Sequence, residues 1–339
     1  MGTVTTDAHG GRAAGTDAAV AAVQRYCDSG NPSAFLAFNR GNSYFRLPGD
    51  DGLIVHRPVG RYLVQFGGPF AAAGTRDRLL AAFVDFAAAQ DREIVAVQVQ
   101  AADAAVFLDA GFVVNQMGAS YAVDLDTFTL AGTRFMQLRN KISRALRSGL
   151  HIAEARYDDW REAIARLDAA WLRTKGEDVR ALEFLVGETG GPHQELRRLF
   201  VATREGRLVG YISYSPVYGP QAGWMHDLSR RRPDSGPGVM EAVNKAAIEV
   251  FRTEGVRWLH FGFTPFTSLD APAFPGHSRA FHWFVHHLWE HGEAVYPART
   301  QLAYKEKWAP TLVLPEYLAF QHRASLPALV HVFRACNAV

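Results

Sequence analysis

The chain has 339 residues, enough for two domains with full cores, and a composition of 48% hydrophobic and 21% charged residues, that of a folded globular protein. Its formal net charge of +2 excludes a surface that coats nucleic acid in bulk and leaves room for a local basic patch. Cys27 and Cys336, near opposite ends, exclude a disulfide framework and a thiolate metal cluster; no apolar run approaches the roughly 18 residues of a spanning helix and the opening MGTVTTDAHGGRAAGTDA lacks the apolar block of a signal peptide, so the expected setting is cytoplasmic.

Residues 1–30 are expected to be a flexible N-terminal segment. From 31 to about 130 a first domain is expected. GLIVHRPVG and RYLVQFGGPF read as strands, Thr75 to Gln90 as a helix with Leu79, Leu80, Phe83, Phe86 and Ala87 on its apolar face, and EIVAVQVQ as a strand. AADAAVFLDAGF reads as a helix closed by Gly111, and VVNQMGASYAVDL as a further strand.

Residues 131–150 (AGTRFMQLRNKISRALRSGL) predict a basic connecting helix. Phe135, Leu138, Ile142, Leu146 and Leu150 share one arc, and Arg134, Lys141, Arg144 and Arg147 the other. That outer row is either a solvated face or a surface for the phosphates of RNA. Arg139 falls inside the apolar arc, so either its stem reaches out to water or its guanidinium meets an anion in a cleft between domains. Tyr157 to Lys175 predicts a helix with Trp160, Ile164, Leu167 and Trp171 on its buried side.

In a second domain, residues 151–325, RLVGYISYSP and QAGWMHDLSR read as strands, Pro237 to Glu254 as a helix and VRWLHFGF as a strand. Ser278 to His291 reads as a helix and QLAYKEKW as the last strand; 326–339 form a tail. For the helix 237–254, Ser235 and Gly236 are the expected caps, Pro237 its first residue and Gly255 its left-handed stop. Arg230, Arg231 and Arg232 precede it and are either solvated or part of an anion site at its positive end. Asp227, at the end of an apolar strand, is costly to place unless paired or working. Glu293, in HGE, is a further acid/base candidate beside its reading as a surface glutamate. His282, His286, His287 and His291 share one helix at metal-ligand spacing, but the glutamate of HExxH is missing, so no metal site is expected.

The order strand, strand, helix, strand, helix, strand occurs in both halves. It resembles the GNAT acyltransferase fold twice over, which implies an α/β (α+β) chain of two tandem GNAT-like domains joined by the basic helix. From about Pro32 to Ser325 the chain also resembles the catalytic domain of aminoacyl-phosphatidylglycerol synthases, the multiple peptide resistance factor family. The matching pieces are FGGPF, LRNKISRALRSG, AWLRTKG, HDLSRRRPDSGPGVME, LHFGFTPF and HGEAVYPARTQLAYKEKWAP, followed by PEYLAF.

The resemblance implies a transferase that takes an aminoacyl group from charged tRNA, with no cofactor besides that co-substrate. It implies functional roles for Asp227 and Arg230 in the D-L-x-R motif and for Lys305 in YKEKW, with Lys307 as a second base. Substrate contacts are expected at Arg139, Arg232, Lys307 and Glu293, and tRNA contacts at Arg134, Lys141, Arg144 and Arg147. The family's usual chain carries a large membrane-embedded domain on its N-terminal side; these residues hold none, FGFTPF replaces L-G-x-x-P-L, and YPARTQL replaces a segment usually containing Asn-Phe. These departures, and free-standing relatives in antibiotic pathways such as the valanimycin seryl-tRNA-dependent transferase, point to the hydroxyl, amine or hydroxylamine of a small soluble acceptor. A phosphatidylglycerol acceptor, an acyl-CoA donor as in an N-acetyltransferase, and a non-catalytic tRNA- or lipid-binding module are the other readings.

Overall fold

The computed structural model describes residues 12–176, 179–293 and 296–338. The first half runs α1 (Arg12–Tyr26), β1 (Ser43–Phe45), β2 (Leu53–Val59), β3 (Tyr62–Phe70), α2 (Arg76–Ala88), β4 (Glu93–Gln100), α3 (Ala104–Asp109) and β5 (Val113–Asp124). After α4 (Met136–Arg147) come β6 (His151–Ala155), α5 (Tyr157–Arg173), β7 (Arg198–Arg204), β8 (Arg207–Val217) and β9 (Gly223–Arg231). The chain ends through α6 (Val239–Thr253), β10 (Trp258–Pro265), α7 (Arg279–His291), α8 (Ala298–Glu306), β11 (Leu312–Phe320) and α9 (Leu326–Ala335).

Among the described residues one sheet of eleven strands runs through both halves, in the order β1-β2-β3-β4-β11-β5-β10-β9-β8-β7-β6. The fold is α/β, with β3–β4 and β9–β10 the parallel pairs, one in each half. β5 and β10 join the halves as an antiparallel pair. β11 comes from the end of the chain and lies between β4 and β5 of the first half.

Three expectations are corrected. QLAYKEKW is helix α8, not a strand, and the last strand is β11 instead. Residues 12–26, expected to be flexible, form α1, with Ala19, Ala22 and Val23 buried; residues 1–11 lie outside the described residues. Helix α6 starts at Val239, after Gly238 rather than at Pro237, and Ser235 makes no capping bond to it. Gly238 has φ +90°, and a Cβ there would stand 2.4 Å from the Lys141 carbonyl, so only glycine lets α4 lie this close to the start of α6.

One core unites α1, α7 and α9 with Phe66, Met225 and the buried Phe184. A second packs α4 and α6 onto the opposite face with Leu259, Phe261 and Trp308. Val239, Val243, Ala247 and Phe251 recur every fourth residue of α6, and each large side chain so buried stabilises the fold by roughly 1.5–3 kcal/mol. A third core seats α5 on β7–β9 through Ile164, Leu167, Leu199, Tyr211 and Leu228. No described helix is long and apolar enough to cross a membrane.

Candidate active site

The site begins where two parallel strands part. β9 and β10 pair only from Gly223 to Met225 and from Trp258 to His260. Beyond that β9 follows β8 and β10 follows β5, leaving a wedge between them. Irregularities in both strands mark its mouth. The β10–β5 register shifts between His260 and Phe263, with Gly262 at φ +69°, and the β8–β9 register shifts so that Asp227 is the extra residue between His226 and Leu228.

Lys305, from the last turn of α8, is buried in this region. Its Nζ donates to the carbonyls of Gly262 (2.6 Å) and Phe263 (3.0 Å) and lies 5.6 Å from the centre of the Tyr121 ring. Burial draws the ammonium down to about 7, opposed by the charge of Glu316. With two of its three hydrogens bound, one donor position of the ammonium, or the lone pair of the neutral amine, remains.

The Asp227 side chain is 1% exposed and 3.6 Å from Nε of Arg197, itself fully covered. The Arg197 guanidinium lies over the Phe35 ring at 4.6 Å, and burial lifts the Asp227 carboxyl to about 6. Gly187 closes over it, since a Cβ there would stand 2.3 Å from the carboxyl carbon.

The neighbouring His226 serves a different network. Its Nδ1 is 3.1 Å from Oδ1 of Asn244, which also accepts from the Tyr214 hydroxyl at 2.7 Å, while Nδ2 of Asn244 donates to the Tyr304 hydroxyl at 2.6 Å. An acceptor already opposite Nδ1 puts the proton of the neutral ring there. Burial holds His226 neutral, drawn down to about 4.

The other expected residues are placed as follows. Arg230 stacks on Trp171 at 3.8 Å, close to the Asp168 carboxylate that accepts from the Tyr211 hydroxyl at 2.7 Å. Arg231 reaches Ser235 and Gly236 in the turn before α6. Arg232 pairs with Asp234 at 3.1 Å, and Lys307 with Glu241 at 3.4 Å. Glu293 is exposed and accepts from the Thr300 hydroxyl at 3.4 Å. Arg139 is held by the carbonyls of Leu130 and Gly132, so its guanidinium braces the loop into α4. Lys141, Arg144 and Arg147 are exposed along α4, and Arg134 is exposed in the 3-10 turn Thr133–Phe135 that precedes it.

Asp227 and Lys305 thus flank one wedge, but each has its own opposite charge, Arg197 for the first and Glu316 for the second. Neither partner was among the sequence candidates. Arg197 stands in no motif; Glu316 lies in PEYLAF, where the buried strand around it was the available signal. His226 and Asn244 are missed because a motif read for its charges passes over neutral polar side chains.

Residues 22–320 match the family model described as Phosphatidylglycerol lysyltransferase, C-terminal. The chain is 24% identical over 301 residues to Phosphatidylglycerol lysyltransferase of Bacillus subtilis, covering 88% of this chain and 34% of that protein. It is 28% identical over 222 residues to the Lysylphosphatidylglycerol biosynthesis bifunctional protein LysX of Mycolicibacterium gilvum, covering 62% and 20%. The structure of L-PGS from Bacillus licheniformis superposes with a TM-score of 0.76 at 21% identity, over 96% of this chain and 97% of that one, and so shares its fold. The chain spans about a third of the length of the first of these relatives. With all eleven strands of its sheet inside the matched region, the chain belongs to the family of phosphatidylglycerol lysyltransferase C-terminal domains.

Proposed function

We propose that this chain carries the transfer chemistry of an aminoacyl-tRNA-dependent phosphatidylglycerol aminoacyltransferase. The observation that carries the reading is the wedge, where Asp227 and Lys305 are both buried and both drawn toward neutral pH, in a chain of this family. An aminoacyl ester is already activated, so the protein's task is to align the acceptor, move one proton and steady the charge that develops on oxygen. Lys305 takes the proton of the acceptor hydroxyl and returns it to the departing ribose oxygen; Asp227 orients the nucleophile. Arg230, with Arg232 in the turn beyond it, binds phosphate, and the exposed bases of α4 engage the tRNA.

The relatives, named for lipid lysyl transfer, favour a lipid acceptor over the small soluble one expected from the sequence. The test supplies tRNA charged with each labelled amino acid, together with phosphatidylglycerol vesicles or a lipid-free cell extract. Label in the lipid phase is the expected result. Label only in a water-soluble product returns the acceptor to the small-molecule reading. Charged tRNA bound but not consumed makes the chain a binding module, and label transfer from acetyl-CoA instead makes it an N-acetyltransferase.

A further inference from the structure

Glu316 is the buried acid that the reading above leaves unused. It is 0% exposed, on β11 where that strand enters the centre of the sheet, opposite Gly118 of β5 and Gln100 of β4. Oε1 accepts from the Ser120 hydroxyl, whereas Oε2 is enclosed without a hydrogen-bond partner. A carboxyl enclosed in this way is expensive unless a positive charge acts on it or a proton neutralises it.

Lys305 is the charge within reach. The two make no direct ion pair; Ser120, which bonds Glu316, is the register partner of Phe263, whose carbonyl Lys305 holds. Carboxyl and ammonium therefore stand on either side of one strand, and Lys305 is the positive charge acting on Glu316. The neutral His226 of β9 and the Tyr121 ring of β5 also face Lys305; Glu241 of α6 is engaged by Lys307.

We propose that Glu316 is a positioning residue for the transfer step, setting from β11 whether the Lys305 amine in the wedge carries its proton. This rests on the reading of Lys305 as the group that moves the proton. In that step the acceptor O–H gives its proton to the neutral Nζ and its oxygen bonds the ester carbonyl carbon. The bond from that carbon to the ribose oxygen breaks, and the ribose oxygen takes the proton back from Nζ. The ammonium exists only between those events, when the carboxylate across β5 stabilises it. Removing that negative charge makes Nζ a weaker base without changing what it touches.

Glu316→Gln separates this role from a structural one, because the glutamine Oε1 can accept from Ser120 as the carboxylate does. In the folded variant the ¹⁵N resonance of the Lys305 amine, identified by its loss in Lys305→Gln, should titrate about one pH unit lower than in the wild type. Turnover at pH 7 should fall about 2–5-fold with KM for both substrates within about twofold, since the loss falls on proton transfer and not on binding. Glu316→Asp, which keeps the charge, should keep the amine's midpoint nearer the wild-type value. Ser120→Ala lets the carboxyl hold its proton to higher pH and should move the amine midpoint in the same direction by less. An unmoved midpoint in Glu316→Gln overturns the proposal, and if that variant does not fold, an unmoved midpoint in Ser120→Ala does so. A wild-type chain that transfers to no acceptor overturns the function proposed above, while the amine titration still decides for or against Glu316.

Discussion

Asp227 shows how a carboxylate is kept in the interior of this sheet. Its cover is complete and its partner Arg197 is equally enclosed, so the two desolvations are offset by each other, by the Phe35 ring beneath the guanidinium and by the bonds the guanidinium donates to the Pro192 carbonyl and Asn39. Arg197→Ala should therefore cost about 3–5 kcal/mol of unfolding free energy by urea denaturation, because it leaves a buried carboxyl alone. Asp227→Asn should cost turnover about 10²–10³-fold if the carboxylate orients the acceptor. An Arg197→Ala chain as stable as the wild type would mean that Asp227 is already protonated in the fold. The aspartate was legible because charge at the end of an apolar strand is conspicuous; its arginine was not, since 30 positions of sequence separate them and they meet through the pairing of β7, β8 and β9, which sets Arg198 beside Tyr214 and Tyr214 beside His226. His260 gives a pH test with a definite sign. Its ring is fully buried, with Nε2 2.8 Å from the Gln221 carbonyl, and burial lowers it from 6.5 to about 4. The folded chain then binds fewer protons there than the unfolded one, so its contribution is whole above about 6.5 and is lost as pH falls toward about 4. Glu316 and Asp227, raised by burial, act with the opposite sign, their contributions falling as pH rises. The wild-type curve mixes these effects, whereas the stability gap between His260→Gln and the wild type should narrow from pH 7 to pH 5. A gap that stays constant would show that His260 charges equally well in the folded chain.

Among the elements, α6 was readable almost to its ends because both apolar period and stop signal agree, and Gly255 does adopt φ +75°. α8 was not, because LAYKEKW alternates as a strand does while Tyr304 and Trp308, four apart, also suit one face of a helix. Tertiary packing decides between the two: both aromatic rings lie against Phe261 and its neighbours. β11 was hidden by Pro315, which argues against a central strand. The structure resolves this, since Pro315 pairs with Ala119 of β5 while pairing with β4 starts only at Glu316, leaving the proline's other edge free of a strand. α4 was read correctly as an amphipathic basic helix, although Leu146, assigned to its apolar arc, is 44% exposed and Ala145 is buried in its stead. Arg144 and Arg147 carry no fold role that exposure reveals, so their joint reversal to glutamate should leave the urea midpoint nearly unchanged, within about 0.5 kcal/mol. It should weaken tRNA binding and flatten its dependence on salt. Equal affinity at low salt would remove α4 from the tRNA surface.

At the scale of the molecule, the duplication was visible in the order of elements, but the exchange that closes the sheet was not, because register across 200 residues leaves no local trace. Each parallel pair opens into a wedge, and β11 stands next to both β4 of one and β5 beside the other. Truncation after Pro310 removes β11 and α9 and should abolish cooperative unfolding of the whole chain, read by circular dichroism against denaturant. A truncated chain that retains a full two-state transition in either half would show that half to be self-sufficient. There is a further result for how the protein is made. A ribosome releases β4 and β5 long before it releases β11, so until β11 is made the first half holds two unpaired strand edges and a gap between them. Any product of an interrupted message lacks the keystone and presents those edges to other chains, as substrate for chaperones and proteases. The amine that we place at the centre of the reaction also lies late, on α8, and its controlling carboxyl later still. Folding and competence for chemistry should therefore arrive together, once β11 has been made.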